Sequence, residues 1–197
     1  MFIQIIQGTV TDPDALQRSI ARWRKEIKPG AHGYLGSTGG VTPDGRGITM
    51  VRFDSEADAQ ANSDRAEQGA WWNEASKAFA DDVSFHNCTE VEAILGGGND
   101  AAGFVQVLQG RTNDEAQMRK TGRAIQDELH ALRPDILGVV VAFHGDGGFT
   151  QAIYFSSEAA ARAGETAIEN NPELSQRLRA TIEGDLTFFD LKEPDFD

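Results

Sequence analysis

The feature that most constrains this chain is that it carries one pattern twice. Phe2-Ile3-Gln4-Ile5-Ile6-Gln7-Gly8 recurs as Phe104-Val105-Gln106-Val107-Leu108-Gln109-Gly110, with four identities and three aliphatic exchanges. At the same offset Leu35-Gly36 falls on Leu137-Gly138, Asp44-Gly45 on Asp146-Gly147, Phe53 on Phe155, and Ser55-Glu56-Ala57 on Ser157-Glu158-Ala159. After one inserted residue, Asp82-Val83-Ser84-Phe85 matches Asp185-Leu186-Thr187-Phe188. A collinear series of this kind marks a tandem duplication. The chain therefore divides into a first repeat over 1–95, a Gly-rich linker over 96–103 and a second repeat over 104–197. The linker glycines lead into another strand rather than a helix N-terminus, and no Lys follows them, so they do not form a phosphate loop.

Each copy reads as strand, helix, strand, strand, helix, strand. Asp12 can cap the first helix and Pro13 takes its first position, where the missing N–H costs nothing. Leu16, Ile20, Trp23 and Ile27 then form one helical face, repeated as Met118, Gly122, Ile125 and Leu129. Asp44-Gly45 and Asp146-Gly147 signal hairpin turns, because both residue types tolerate positive φ. Ser55 and Ser157 open the second helical region, whose stripe is Trp71, Ala75 and Phe79, matched by Leu174, Leu178 and Ile182. The last strands are Val83 to Cys88 and Leu186 to Leu191. The order βαββαβ is the ferredoxin-like arrangement, an antiparallel sheet with both helices on one face.

The strands are apolar on both faces, with Phe2, Ile6 and Met50 beside Ile3, Ile5 and Val51. An uncovered apolar face of that size is adhesive. The expected α+β fold is therefore two tandem ferredoxin-like repeats whose antiparallel sheets pack face to face into one α/β barrel, helices outside. One chain would then be a pseudo-dimer, with further dimerisation left open.

Thirty-one Asp and Glu against 18 Lys and Arg give a net charge of -13, which disfavours nucleic acid or an anionic membrane as partner. The apolar run from Ile136 to Phe143 is too short to cross a bilayer, and the N-terminus does not read as a signal peptide. The single Cys88 fits a reducing compartment, so a cytoplasmic location is expected. No His, Cys or Asp cluster has metal-ligand spacing, and neither metal nor cofactor is expected. His144-Gly145-Asp146 sits in a hairpin turn, and Glu193-Pro194-Asp195-Phe196-Asp197 reads as a solvated end.

Gln4 and Gln106 share a strand face with Phe2, Ile6, Phe104 and Leu108; on an inner face they would meet a ligand or satisfy each other. Arg52 alternates with Val51 and Phe53 and has Tyr154 as its counterpart. Inside a barrel Arg52 could stabilise an anion and Tyr154 could donate a proton; the alternative is an exposed edge pair. Trp72 has Ser175 as its counterpart in the other copy, so the fold needs no aromatic there, and it could line a pocket mouth or an interface, or pack on a loop. His86, whose counterpart is Phe189, could act as a base near neutral pH or be a satisfied strand residue.

The first-strand pattern, the Phe-(Asp/Ser)-Ser-Glu-Ala junction and the βαββαβ order resemble the dimeric α/β-barrel superfamily, which includes antibiotic-biosynthesis monooxygenase-like and haem-degrading members. The resemblance covers both copies and implies a tandem-fused version. Its monooxygenase-like branch oxidises polycyclic aromatic substrates with dioxygen, without metal or flavin, using cavity Asn, Trp, Tyr and Arg residues. It therefore implies an apolar or aromatic small-molecule ligand, with Arg52, His86 and Tyr154 as candidate catalytic residues and Gln4, Gln106 and Trp72 as candidate ligand contacts. A non-catalytic binding or sequestering module is the alternative. Haem binding is a third reading: Gln4 and Gln106 stand at the Asn site of the haem-degrading branch, but the Trp site falls near Asn62 and no His lies in 54–80.

Overall fold

The computed structural model describes residues 1–81 and 83–197; Asp82, where one repeat match begins, lies outside the described residues. The chain forms two compact units, Met1–Thr89 with Asp195–Asp197, and Glu90–Pro194. The first contains β1 (Phe2–Thr9), α1 (Pro13–Arg22), β2 (Tyr34–Val41), β3 (Arg46–Phe53), α2 (Glu56–Ser63), α3 (Ala66–Ala75) and β4 (Ser84–Cys88). The second contains β5 (Glu90–Ile94), β6 (Phe104–Thr112), α4 (Glu115–Leu132), β7 (Ile136–Phe143), β8 (Gly148–Phe155), α5 (Glu158–Glu169), α6 (Pro172–Arg179) and β9 (Ile182–Leu191). The terminal strand β10 (Asp195–Phe196) joins the sheet of the first unit.

The fold is α+β, with two tandem ferredoxin-like repeats, each an antiparallel sheet carrying helices. The strand orders are β10-β2-β3-β1-β4 and β5-β7-β8-β6-β9. Each sheet therefore has a fifth strand that the four-strand reading lacks. β5 follows β4 of the first repeat yet pairs with β7, and β10 follows the second repeat yet pairs with β2. This is why the compact units divide at Thr89/Glu90 while the sequence copies are separated by the Gly-rich stretch 96–103. The acidic end is not a solvated tail: an edge strand leaves a row of backbone N–H and C=O groups unpaired, and β10 satisfies part of that row on β2.

The local chemistry follows the sequence closely. Asp12, Ser55, Asp114 and Ser157 each accept the N-cap hydrogen bond from the backbone N–H three residues on. The first helices nevertheless differ: α4 runs uninterrupted, whereas α1 passes into a π-helical turn at Trp23–Ile27 and a 3-10 turn at Lys28–Gly30. The hairpins form where Asp44-Gly45 and Asp146-Gly147 signal them, but the turn itself differs from the expected one. Gly45 has φ 85°, but Asp44 is not in the left-handed region, so this is no two-residue turn with both φ positive. Gly45 N–H instead donates to Thr42 at 2.9 Å, closing a longer loop with glycine at the left-handed position.

Helices cover one face of each sheet. In the first unit Phe2 and Phe53 bury against Ala59 of α2. In the second, Phe104, Leu108, Phe149 and Phe155 pack with Ala161 of α5, with Met118 and Leu129 of α4 against them. Fully burying one such side chain contributes about 1.5–3 kcal/mol. The opposite, helix-free faces are buried as well: Ile3, Ile5, Ile48, Met50 and Cys88 in the first unit, Val105, Val107, Ala152, Tyr154 and Leu191 in the second.

Candidate functional site

Strand register decides which sequence candidates share a surface. Gln4 is paired with Val51 and Asn87, and Gln106 with Ile153 and Asp190, which places both glutamines on the helix-covered faces. There Gln4 Nε2 donates to Asn87 Oδ1 at 3.0 Å, and Gln106 Nε2 to Asp190 Oδ1 at 3.0 Å. Asp190 is also bridged to Arg162 of α5. The inner-face expectation for Gln4 and Gln106 is thus corrected. Each is satisfied by the neighbouring edge strand of its own sheet, not by the other. Trp72 is on the helix side too, its ring 6.0 Å from Trp71, 6.4 Å from Phe79 and 5.4 Å from Phe85.

Arg52, His86 and Tyr154 lie on helix-free faces. Arg52 is opposite Ile3 and His86 opposite Ile5, so both belong to one face of the first unit, on strands that flank β1. Their Cα atoms are about 12 Å apart by sheet geometry, and Ile3, Ile5, Met50 and Cys88 form the apolar floor between and around them. The Arg52 guanidinium lies over Gly36, whose φ of 127° marks the bulge in β2. A Cβ there would come within 2.7 Å of Arg52 Nη2 and 2.5 Å of the Asp197 carbonyl, so only glycine leaves room. Both Arg52 and His86 are half-buried. In the second unit Tyr154 is 1% exposed, opposite Val105 and Gly138.

The same face of the second unit holds a polar chain that the sequence reading passed over. Gln109 Nε2 donates to Thr150 Oγ1 at 2.9 Å, and His144 Nε2 lies 2.9 Å from the same oxygen. The Thr150 hydroxyl thus joins the Gln109 amide and the His144 ring. His144 Nδ1 and Asp146 Oδ1 both flank Gly148, where an added Cβ would meet them at 2.7 and 2.9 Å. Asp146 accepts from Gly148 N–H at 2.8 Å, and this bond, with Arg111 and His144 adding smaller contributions, holds its carboxyl below the usual range. The signal was available in the duplication: His144 and Thr150 replace Thr42 and Ile48 of the first copy. A hydroxyl at a central, fully buried strand position where the other copy has isoleucine needs a partner.

A second cluster missed by the sequence reading surrounds the chain end. Lys28 Nζ donates to Asp197 Oδ1 at 2.8 Å, the Tyr34 hydroxyl donates to Asp197 Oδ2 at 2.9 Å, and Arg24 is paired with Asp195. Tyr34 also packs edge-on against Trp23, with centroids 5.0 Å apart. Burial above all, and the Asp197 carboxylate with it, push the Tyr34 phenol well above its ordinary range. Among the described residues no group of three His, Cys, Asp or Glu side chains is placed to hold a metal ion, and no helix is long and apolar enough to cross a membrane.

No family model matches this chain, and neither does any curated protein sequence. Solved structures do match, over nearly the whole length. A candidate monooxygenase from Fusobacterium nucleatum subsp. nucleatum superposes with a TM-score of 0.68 at 7% identity, covering 96% of this chain and 90% of that one. An anthrone oxidase-like protein gives 0.63 at 12% identity, covering 99% and 93%. A candidate monooxygenase from Lactobacillus acidophilus NCFM gives 0.62 at 14% identity, covering 95% and 92%. The resemblance drawn from the repeat is therefore met at the level of fold: the chain is similar throughout to tandem, monooxygenase-like ferredoxin-fold proteins. Identities this low speak for architecture alone.

Proposed function

We propose that the chain binds a largely apolar, multi-ring aromatic molecule on the helix-free face of its first unit and oxidises it with dioxygen. The observation that carries this reading is the placement of Arg52 and His86 at opposite margins of an apolar floor of Ile3, Ile5, Met50 and Cys88. A cation and an imidazole whose Cα atoms stand about 12 Å apart across apolar side chains suit a flat fused-ring ligand with a polar group at each end. His86 takes a proton from an acidic ring carbon, and Arg52 holds the negative charge that spreads onto the ligand oxygen. The resulting electron-rich anion reduces dioxygen, one oxygen atom becoming a ring carbonyl and the other leaving as water. Oxidation of a ring methylene to a carbonyl in this way balances without a further reductant. The likeness to an anthrone oxidase-like fold supports an anthrone-type compound as the first substrate to try.

The experiment is oxygen consumption with anthrone, alongside native mass spectrometry of the freshly purified chain. Enzyme-dependent oxygen uptake that falls at least about tenfold, some 1.4 kcal/mol of barrier, in both Arg52→Met and His86→Gln supports the reading. Saturable binding of the aromatic with no oxygen uptake would replace it with the non-catalytic binding alternative. A Soret shift on adding hemin, lost in neither variant, would move it toward haem.

A further inference from the structure

All three tryptophans of the chain and one of its two tyrosines lie in a single file of rings in the first unit. The file runs from Tyr34 at the start of β2 to Trp23 in the π-helical turn, with 5.0 Å between ring centres, then 6.3 Å to Trp71 and 6.0 Å on to Trp72, both in α3. Trp72 packs edge-on against Phe85, which is 46% exposed. Any one of these contacts is an ordinary aromatic pair. The duplicate shows that the fold does not require the set. In the second copy the counterparts of Tyr34, Trp23, Trp71 and Trp72 are Ile136, Ile125, Leu174 and Ser175, and Ile125 and Leu174 fill their places in the core at 1% and 0% exposure. Aliphatic side chains therefore complete the packing, and the four easily oxidised rings in contact belong to the first unit.

The polar groups around the rings suit the loss of an electron. An oxidised phenol is a strong acid and must pass its proton to a base; the Tyr34 hydroxyl donates to Asp197 Oδ2 at 2.9 Å. An oxidised indole keeps its N–H proton more firmly and is stabilised by an oxygen placed on it. Trp23 Nε1 donates to Gln68 Oε1 and Trp71 Nε1 to the Ser19 carbonyl, each at 2.8 Å. Tyr34 is the resting end of the file, because a phenol that sheds its proton to a carboxylate is oxidised more readily than indoles bonded to neutral oxygens.

We propose that Trp72, Trp71, Trp23 and Tyr34 form a one-electron relay that carries an oxidising equivalent from the Trp72 end to rest on Tyr34. The oxidant is an oxygen-centred radical of the peroxyl class, which takes one electron from Trp72 and one proton from water and leaves as a hydroperoxide. Electrons then step from Trp71 to Trp72, from Trp23 to Trp71 and from Tyr34 to Trp23, as the phenolic proton of Tyr34 passes to Asp197. A reductant of the ascorbate class returns the electron, releasing its own proton to water, and Asp197 gives the phenoxyl back its proton. In net, one electron and one proton pass from reductant to radical. The relay holds whatever the helix-free face binds.

The test is flash oxidation of the full chain by photogenerated tris(bipyridine)ruthenium(III), followed by transient absorption, in which indole and phenoxyl radicals have separate bands. The unaltered chain is expected to show an indole radical that decays as a phenoxyl radical grows. Tyr34→Phe, which leaves Tyr154 in place, is expected to lose the phenoxyl signal and keep the indole one. Trp23→Phe and Trp71→Phe keep a ring in the packing but remove an oxidisable step, and each is expected to slow phenoxyl formation about tenfold or more, with the fold checked by circular dichroism. Asp197→Asn, which removes the base, is expected to slow it as well. The proposal is overturned if no phenoxyl radical follows the indole radical, if the phenoxyl signal persists without Tyr34, or if its rate is unchanged in Trp23→Phe and Trp71→Phe. An unchanged rate in Asp197→Asn overturns the role of Asp197 as proton acceptor.

Discussion

The Tyr34 hydroxyl donates to the Asp197 side chain at 2.9 Å, joining residues 163 positions apart in sequence. Removing the donor with Tyr34→Phe is expected to cost about 1.5–3 kcal/mol, the range for a hydrogen bond to a charged acceptor. The pH dependence follows from the raised phenol. Above about pH 10 the unfolded tyrosine ionises while the folded one keeps its proton, so stability is fully present below that pH and declines as pH rises past it. Urea midpoints between neutral pH and about pH 11 should fall more steeply for the unaltered chain than for Tyr34→Phe. Parallel curves would contradict the assignment.

Thr150 is the shared partner of Gln109 and His144. Thr150→Val keeps the shape but takes one hydrogen-bond partner from each of Gln109 and His144, and is expected to destabilise by about 1–3 kcal/mol. Thr150→Ile, which copies Ile48 of the first unit, adds bulk to a fully buried position and should do no better. If Gln109→Leu is combined with Thr150→Val, the loss should be smaller than the sum of the two. Calorimetric melting of the four proteins decides it, and strict additivity would mean the chain is not coupled.

Arg133 is the most enclosed of the ion-paired cations in the second unit. It grips Asp135 with Nε at 2.9 Å and Nη2 at 2.8 Å, donates to the Ala161 carbonyl at 3.1 Å, and lies 5.5 Å from the Phe155 ring centre. Asp135→Ala leaves a nearly buried guanidinium uncompensated and is expected to cost about 3 kcal/mol. Arg133→Met with Asp135→Ala should recover part of that loss, because no unpaired charge remains. Denaturant unfolding of the single and double variants is the measurement, and a double variant worse than Asp135→Ala would refute the account.

The Asp146 turn is expected to be acid-sensitive. Its carboxyl is held below the ordinary range chiefly by the Gly148 N–H. That stabilisation is present above the unfolded value near about pH 4 and is lost as pH falls through the lowered folded value. Asp146→Asn should therefore be less stable than the unaltered chain at neutral pH, with the gap closing in acid. A gap that stays constant with pH would show that the charge is not what matters.

The repeat, the helix caps and the order of elements were legible because each depends on neighbours a few residues away. Asp12 and Ser157 cap whatever the rest of the chain does. The placement of Arg52 opposite to Val51 and Phe53 was legible too, since strand alternation needs no tertiary information. The side of Gln4 and Gln106 was not. Alternation separates two faces, but these strands are apolar on both, so periodicity alone does not say which face the helices take.

What the sequence determined by itself was the duplication, the elements and which residues share a strand face. What only the tertiary structure decided was which sheet receives β5 and β10, and which polar groups meet. Strands of five and two residues are too short for their pattern to name a partner; they complete a sheet edge that offers unpaired backbone groups. His144 finds Thr150 and Asp197 finds Tyr34 because the sheets bring those strands together, and a hydrogen bond forms by proximity in space, not along the chain.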